Sequence, residues 1–263
     1  MPLIDFHTHV FPDNLAARAV PQIAKAAGVP AFLDGKISSL LQSMDQAGIE
    51  RSVVCSIATR PAQFRKILDW SGSVRSPRIV PLPSVHPADP DVCAHIRQIR
   101  AGGFPGIKMH PYYQDFFMDE PRMEPIYECV RDCGLILLCH TGFDIAFPRV
   151  RRADPERICK VVAQFPGLKF IATHLGAWED WGEVERWLIG RPVMLETSFA
   201  VQYCGAECVR RLLMAHPRDC ILFGTDSPWA DQAEEVARIK ALALPSDREQ
   251  KLFYGNACRL LGG

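Results

Sequence analysis

The sequence predicts an α/β fold, a (β/α)8 TIM barrel, and two observations support this. Short apolar, β-branched runs recur eight times along the 263 residues, and segments with helical spacing separate them. The runs cover residues 3–9, 51–57, 78–85, 104–109, 134–140, 168–174, 192–198 and 220–226. Apolar strands that alternate with helices indicate parallel strands buried on both faces, and eight such units close into a barrel of roughly 250 residues. A doubly wound open sheet is the alternative.

Two segments outside the regular alternation have predicted roles of their own. Residues 10–36 exceed the length of an ordinary loop, hold a helical stretch near 14–27, and form a lid-like N-terminal insertion after the first strand. We expect it to overhang the barrel mouth. Residues 247–261 predict a helix that follows Pro245 and closes the outer layer. Because no linker or low-complexity tract interrupts the chain, we expect a single domain over residues 1–263.

The composition is ordinary for a soluble globular protein and disfavours several classes of partner. Thirty basic residues balance thirty acidic ones, so no overall electric field attracts nucleic acid or an anionic membrane. No run of about 18 apolar residues predicts a membrane span. We therefore expect a small-molecule substrate as the partner, and homo-oligomerisation is left open.

The ten cysteines lie in or beside apolar runs, and no Cys-x-x-Cys pair occurs. This pattern predicts ten free thiols in a reducing compartment. The first residues lack a basic segment followed by an apolar stretch, which is the pattern of a secretory leader. Both observations predict a cytoplasmic location.

Ionisable side chains follow several predicted strands, at the end where barrel enzymes gather their catalytic groups. The first run contains Asp5-Phe-His7-Thr-His9, and alternation along a strand would place Asp5, His7 and His9 on one face. The groups that end the fifth, sixth and eighth runs are His140, His174 and Asp226. A lone histidine at a strand end is more often a hydrogen-bonded rim residue than a ligand. These groups converge at one end of a barrel, however, so together they predict a metal site.

Four motifs resemble those of the amidohydrolase superfamily, in the branch that includes aminocarboxymuconate semialdehyde decarboxylase and many small metal-dependent hydrolases. They are Ile4-Asp-Phe-His-Thr-His-Val-Phe-Pro12, Leu138-Cys-His-Thr-Gly142, Ala172-Thr-His-Leu-Gly176 and Leu222-Phe-Gly-Thr-Asp-Ser-Pro228. The resemblance spans nearly the whole chain. The ligands that it implies for one divalent metal ion are His7, His9, His140 and Asp226. It places His174 beside the ion.

The implied donor set, three neutral imidazoles and one carboxylate, suits zinc, with manganese, iron, nickel and cobalt as alternatives. Such an ion can activate water near neutral pH and polarise a substrate carbonyl. Asp226 and His174 are the predicted catalytic residues. Asp226 would orient or deprotonate the water, and His174 would act as a base or hold a developing oxyanion.

Lys108, His110 and Trp229 are the predicted substrate-binding residues. Lys108 lies in Gly106-Ile-Lys-Met-His-Pro111, a context that resembles the branch with one metal, so we expect a cationic side chain near the substrate. The alternative, known from other branches, is a carboxylated lysine that bridges two metals. His110 lies two residues further along the same strand face, and its alternative is a rim histidine bonded to backbone. Trp229 follows Asp226 closely and is expected to line the pocket.

The predicted function is that of an amidohydrolase-type metal-dependent hydrolase, which cleaves an amide, lactone or ester bond in a small molecule. The chain is compact, and it lacks the Glu that some decarboxylating relatives have in the first-strand motif. Both features favour hydrolysis. The alternative is a lyase that uses the same metal site for non-oxidative decarboxylation of an unsaturated or aromatic carboxylic acid. A non-catalytic binding protein is disfavoured because every implied ligand is present.

Overall fold

All eight predicted strands are present in the computed structural model, which describes residues 2–262. They are β1 (Ile4–Thr8), β2 (Arg51–Cys55), β3 (Ile79–Leu82), β4 (Gly106–Met109), β5 (Ile136–Cys139), β6 (Lys169–Ala172), β7 (Met194–Glu196) and β8 (Ile221–Leu222). Each strand lies within one of the predicted apolar runs, and every paired neighbour is parallel. The strand predictions are therefore confirmed.

Helices connect the strands and form the outer layer. They are α1 (Asp13–Ala27), α2 (Ile37–Ala47), α3 (Phe64–Val74), α4 (Val92–Ala101), α5 (Glu124–Asp132), α6 (Pro155–Gln164), α7 (Trp181–Trp187), α8 (Ala200–Cys204), α9 (Ala206–Ala215), α10 (Gln232–Ala241), α11 (Ser246–Gln250) and α12 (Asn256–Leu261). A π-helical turn, Lys251–Gly255, joins α11 to α12, so the predicted C-terminal helix is present with a change of pitch at its centre. None of the described helices is long and apolar enough to span a bilayer.

Backbone hydrogen bonds join the two strand ladders, β1 to β3 and β4 to β8, at both seams. Phe6 N donates to Phe223 O at 2.8 Å between β1 and the residues that follow β8. Lys108 N donates to Pro83 O at 2.9 Å between β4 and the residues that follow β3. The strands thus form the (β/α)8 TIM barrel that the sequence predicts.

Alternate strand residues divide the apolar core into two parts. Outward-facing residues such as Ile107 and Leu137 pack with the helices, whereas Val53, Leu138 and Ile171 belong to the cluster that fills the barrel. Ala257 of α12 belongs to the inner cluster as well. This inner cluster therefore fills the lower part of the barrel, and the ionisable groups of the site described below lie at or near the carboxyl ends of the strands.

A register shift in β1 changes which of its residues share a face. The pairing with β2 shifts between Asp5 and Thr8, so β1 holds one extra residue there. The Asp5 carboxylate accepts hydrogen bonds from Thr225 Oγ1 at 2.6 Å and from Gln232 Nε2 of α10 at 2.7 Å. The expectation that Asp5 shares a face with His7 and His9 is therefore wrong, because the bulge reverses the alternation after Asp5.

The insertion after β1 lies at the barrel mouth. Its helix α1 contributes Ile23 and Ala27 to the wall of the pocket described below, while Leu15 remains exposed. The role of this segment as a lid stays a prediction.

One pair of cysteines differs from the expectation of ten free thiols. Cys204, the last residue of α8, forms a disulfide with Cys208 in α9. The four-residue spacing, typical of two positions on one helix face, here brings the two sulfur atoms together across the Gly205 turn between the helices. The prediction of free thiols is wrong for this pair.

Gly106 tests the close packing of β4 against β5. A Cβ at Gly106 would lie 2.6 Å from Ile136 Cβ and still closer to Ile136 O, so one strand must move. We expect Gly106→Ala to lower the free energy of unfolding by about 1 to 3 kcal/mol, as overpacked cores do. The measurement is the midpoint of urea unfolding.

Gly72→Ala is the matched control, since Gly72 lies inside α3 with open space around its Cα. There alanine should stabilise the helix by about 0.5 to 1 kcal/mol. Equal midpoints for Gly106→Ala and the wild type would contradict the described packing.

Candidate metal centre

Three side chains from the first and last strand ends converge at the barrel mouth. His7 Nε2 lies 3.1 Å from His9 Nε2, and Asp226 Oδ1 lies 3.4 Å from His7 Nε2 and 3.1 Å from His9 Nε2. All three residues are less than one-tenth exposed. The structure therefore brings together three of the four predicted ligands as a compact group.

The outer ring nitrogens of His7 and His9 each face an oxygen that can only accept a hydrogen bond, and Ser198 Oγ, which donates to Glu196, also lies 3.2 Å from His7 Nδ1. His7 Nδ1 lies 3.0 Å from Glu196 Oε1, and His9 Nδ1 lies 2.9 Å from the carbonyl oxygen of Cys55. Each imidazole must place its hydrogen on Nδ1 to make these bonds. The Nε2 atoms that face Asp226 then carry lone pairs, which is the tautomer that a metal ligand needs.

His140 and His174 show the same arrangement on the other side of the centre. His140 Nε2 donates to Phe143 O at 2.8 Å, which leaves a lone pair on Nδ1. This Nδ1 atom lies 3.0 Å from His174 Nε2, while His174 Nδ1 lies 2.9 Å from Ser198 Oγ. His140 is thus turned towards His174, and it does not belong to the compact group of His7, His9 and Asp226.

The electrostatic environment favours neutral imidazoles and a charged carboxylate. Burial lowers the pKa of His7, with a further contribution from Lys108, and burial lowers the pKa of His174 to about 4. Burial opposes charge on Asp226, but the positive charge that His7 and His9 carry when protonated outweighs it and holds the pKa of this carboxyl well below its usual range. At neutral pH the centre therefore presents lone pairs and one negative charge.

These residues fit a divalent cation on two counts. Asp226 Oδ1 is buried and has no hydrogen-bond donor, and the nitrogen and oxygen donors match what zinc or manganese accepts. Lys108 also reaches the centre, and its Nζ lies 3.1 Å from His7 Nε2. Lys108 is almost fully buried, and the described residues place no carboxylate within ion-pair distance of it.

Backbone strain is concentrated at this centre. His174, Leu175 and Asp226 adopt the left-handed region with φ of 56°, 54° and 65°, which non-glycine residues rarely do. Each such residue costs of order 1 to 3 kcal/mol and persists where the surrounding structure enforces it. The fold thus holds His174 and Asp226 in orientations that a relaxed backbone would not give.

A mostly apolar pocket of about 1030 Å³, including its open mouth, lies above the centre. Its walls include Phe11, Ile23, Ile57, Trp178, Phe199 and Trp229. Lys108 and His110 also line it, so all three predicted substrate-binding residues face the pocket. Their role in substrate binding stays a prediction.

A second group of potential ligands, His110, His140 and Asp144, lies beside the first. Asp144 Oδ2 lies 3.2 Å from His110 Nε2, and the His110 ring stacks on His140 at 4.1 Å. Because His140 Nε2 already donates to Phe143 O, it has no lone pair to offer on this side. We interpret the group as a hydrogen-bonded wall of the pocket.

Three polar residues of the site were missed by the sequence prediction, namely Glu196, Ser198 and Asp144. Glu196 ends β7 and Ser198 lies two residues later, so both are on the inner face of this strand and its extension. Burial opposes charge on Glu196, but His7 and the hydrogen bonds that it accepts lower its pKa to about 2. The signal for Glu196 was available in the sequence, since it is a single charged residue within the apolar run 192–198.

The comparison with known families agrees with this geometry. The model of the amidohydrolase family matches residues 4–263. The chain belongs to the amidohydrolase family. It is therefore an enzyme, as the sequence predicts. No protein of curated function matches this amidohydrolase in sequence.

Several solved structures share the amidohydrolase barrel at low sequence identity. The Tim-barrel protein Bb4693 from Bordetella bronchiseptica has a TM-score of 0.84 at 21% identity, over 100% of this chain and 99% of that chain. The 5-carboxyvanillate decarboxylase LigW2 from Novosphingobium aromaticivorans, which contains manganese, has a TM-score of 0.72 at 14% identity, over 99% and 97%. A protein assigned as a 2-pyrone-4,6-dicarboxylic acid hydrolase from Pseudomonas putida has a TM-score of 0.68 at 16% identity, over 99% and 97%. One fold thus carries both hydrolase and decarboxylase names.

The convergence of His7, His9 and Asp226 predicts the metal content of the protein. We expect close to one divalent cation per chain. We expect His9→Ala to lose this cation, because His7 and Asp226, the two donors of the compact group that remain, do not hold it without His9. Elemental analysis after dialysis measures both.

His95→Ala is the matched control, since His95 also contacts a carboxylate, Asp89 at 2.9 Å, but lies on α4 outside the centre. This variant should retain its metal. Two ions per chain in the wild type, or full occupancy in His9→Ala, would contradict the assignment.

Proposed function

We propose that this amidohydrolase is a metal-dependent hydrolase that cleaves an amide, lactone or ester bond in a small molecule. The observation that carries the proposal is the convergence of His7 Nε2, His9 Nε2 and Asp226 Oδ1 at the floor of the pocket. His140 completes the proposed ligand set, and zinc suits these donors, with manganese as an alternative. A divalent cation held there would polarise a carbonyl group and make water more acidic.

Asp226 and His174 are the proposed proton-transfer residues. The Asp226 carboxylate is ionised, and its Oδ1 has no donor and faces the space between the imidazoles, so the carboxylate can bind a cation through one oxygen and take a proton from a water molecule through the other. We propose that His174 carries its hydrogen on Nδ1, towards Ser198 Oγ, so that the lone pair of Nε2 points inwards beside His140 Nδ1. A neutral imidazole in this tautomer accepts a proton and cannot donate one, which supports a base and not an oxyanion holder.

The pocket indicates the chemical character of the substrate. Aromatic walls, including Trp178, Phe199 and Trp229, suit a planar apolar body. Lys108 is a buried cation without a carboxylate partner, so it suits an anionic substituent that reaches the metal centre. We propose a small cyclic or aromatic compound with a negatively charged group.

Decarboxylation is the second candidate, and Lys108 is the observation that favours it. A carboxylate held by Lys108 next to His7 would be the group that is lost as carbon dioxide. Incubation of a substrate panel in ¹⁸O-labelled water separates the two reactions. Label in the organic product indicates hydrolysis, whereas release of carbon dioxide together with an unlabelled organic product indicates decarboxylation.

Two conservative variants separate proton transfer from metal binding. Asp226→Asn should nearly abolish turnover and lose part of the metal, because its amide oxygen is a weaker ligand and takes no proton. His174→Asn should keep its metal almost completely and lower kcat by roughly 10²- to 10⁴-fold, the usual effect of removing a general base. Turnover on any substrate found in the panel and elemental analysis of each variant measure these effects. Loss of the metal in His174→Asn would make His174 a ligand and refute this mechanism.

A further inference from the structure

Glu196 is a fully buried carboxylate that the proposed reaction does not use. Its Oε1 atom lies 3.0 Å from His7 Nδ1 and accepts hydrogen bonds from His174 N at 3.0 Å and Ser198 Oγ at 2.6 Å. Its Oε2 atom accepts a hydrogen bond from Ser198 N at 2.9 Å. Four donors thus converge on one carboxylate, and they come from the ends of three different strands.

The space around Glu196 is also built for a carboxylate. Gly224, on the extension of β8, faces Glu196, and a Cβ at this position would overlap Glu196 Oε2 and lie 3.1 Å from His7 Cβ. A buried charge without compensation is costly. A glycine that leaves room for it and four donors that neutralise it indicate that this charge has a function.

Two contacts of Glu196 reach opposite sides of the centre. Towards His7, the carboxylate accepts the hydrogen on Nδ1 and so leaves a lone pair on Nε2, the atom that faces Lys108 Nζ and Asp226 Oδ1. Towards His174, it holds the backbone N–H of a residue in the left-handed region, followed by a second left-handed residue, Leu175. Ser198 links the two, since its hydroxyl donates to Glu196 and lies 2.9 Å from His174 Nδ1.

We propose that Glu196 is a positioning residue that fixes the metal-binding tautomer of His7 and holds His174 in its strained orientation. This inference rests on the proposed function, because it requires that His7 binds a metal. A carboxylate behind a ligand imidazole raises the basicity of that ligand, and removal of such a partner typically costs 10- to 100-fold in metal affinity or activity.

The test is the zinc affinity of Glu196→Gln, measured by competition with a chromophoric chelator. All four groups that face Glu196 are donors, and the glutamine NH₂ cannot accept from any of them, so one bond and the negative charge are lost. We expect zinc affinity to fall about 10- to 100-fold. The control is Glu235→Gln on α10, which also changes a buried glutamate, bonded there to Arg238, and should leave zinc affinity unchanged.

A second measurement keeps the inference testable if Glu196→Gln does not fold. This measurement uses zinc-loaded wild-type protein with ¹⁵N-labelled histidine rings. Long-range proton–nitrogen spectra should show the His7 hydrogen on Nδ1. The His7 signal is identified by its absence from the spectrum of His7→Gln. A hydrogen on Nε2 would overturn the inference, as would zinc binding by folded Glu196→Gln that equals the wild type. If wild-type protein binds no zinc at all, the inference and the proposed function both fail. If wild-type protein binds zinc and Glu196→Gln binds it equally tightly, the inference about Glu196 fails and the proposed function stands.

Discussion

The site depends on one electrostatic constraint, namely that lone pairs and a negative charge face each other in a buried space. His7 Nε2 and His9 Nε2 lie 3.1 Å apart, and Asp226 Oδ1 lies 3.1 Å from the second. Acceptors at such distances repel one another unless a cation lies among them, and Lys108 Nζ contacts His7 Nε2 at 3.1 Å but leaves Asp226 Oδ1 without a donor. The outer bonds to Glu196 and to the Cys55 carbonyl prevent either imidazole from relieving this repulsion by a change of tautomer.

The packing of the lower part of the barrel offsets the energetic cost of this arrangement. Val53, Leu138 and Ile171 fill the interior below the centre, so stability from apolar burial can offset left-handed residues and buried charges at the strand ends. The register shift in β1 also contributes to this arrangement. It turns Asp5 away, towards Gln232, and brings His7 and His9 to the barrel mouth.

Much of the fold and part of the site could be predicted because both follow from periodicity. Eight apolar runs predicted eight strands and the convergence of His7, His9 and Asp226 at their ends, whereas the expected position of Lys108 near the substrate came from the resemblance to a known family. The role of Glu196 was missed because two of its partners, His7 and His174, come from other strand ends that are distant in sequence. The face of Asp5 and the pairing of Cys204 with Cys208 depend on a bulge and a helix junction, which local patterns do not encode.

The most direct test of the account is diffraction from crystals of the zinc-loaded protein at wavelengths on either side of the zinc absorption edge. The anomalous difference should show one zinc ion per chain, bonded to Nε2 of His7, Nε2 of His9, Nδ1 of His140 and a carboxylate oxygen of Asp226. A zinc ion located anywhere else, or bound to His7 or His9 through Nδ1, would contradict the arrangement on which the proposed chemistry and the role of Glu196 depend.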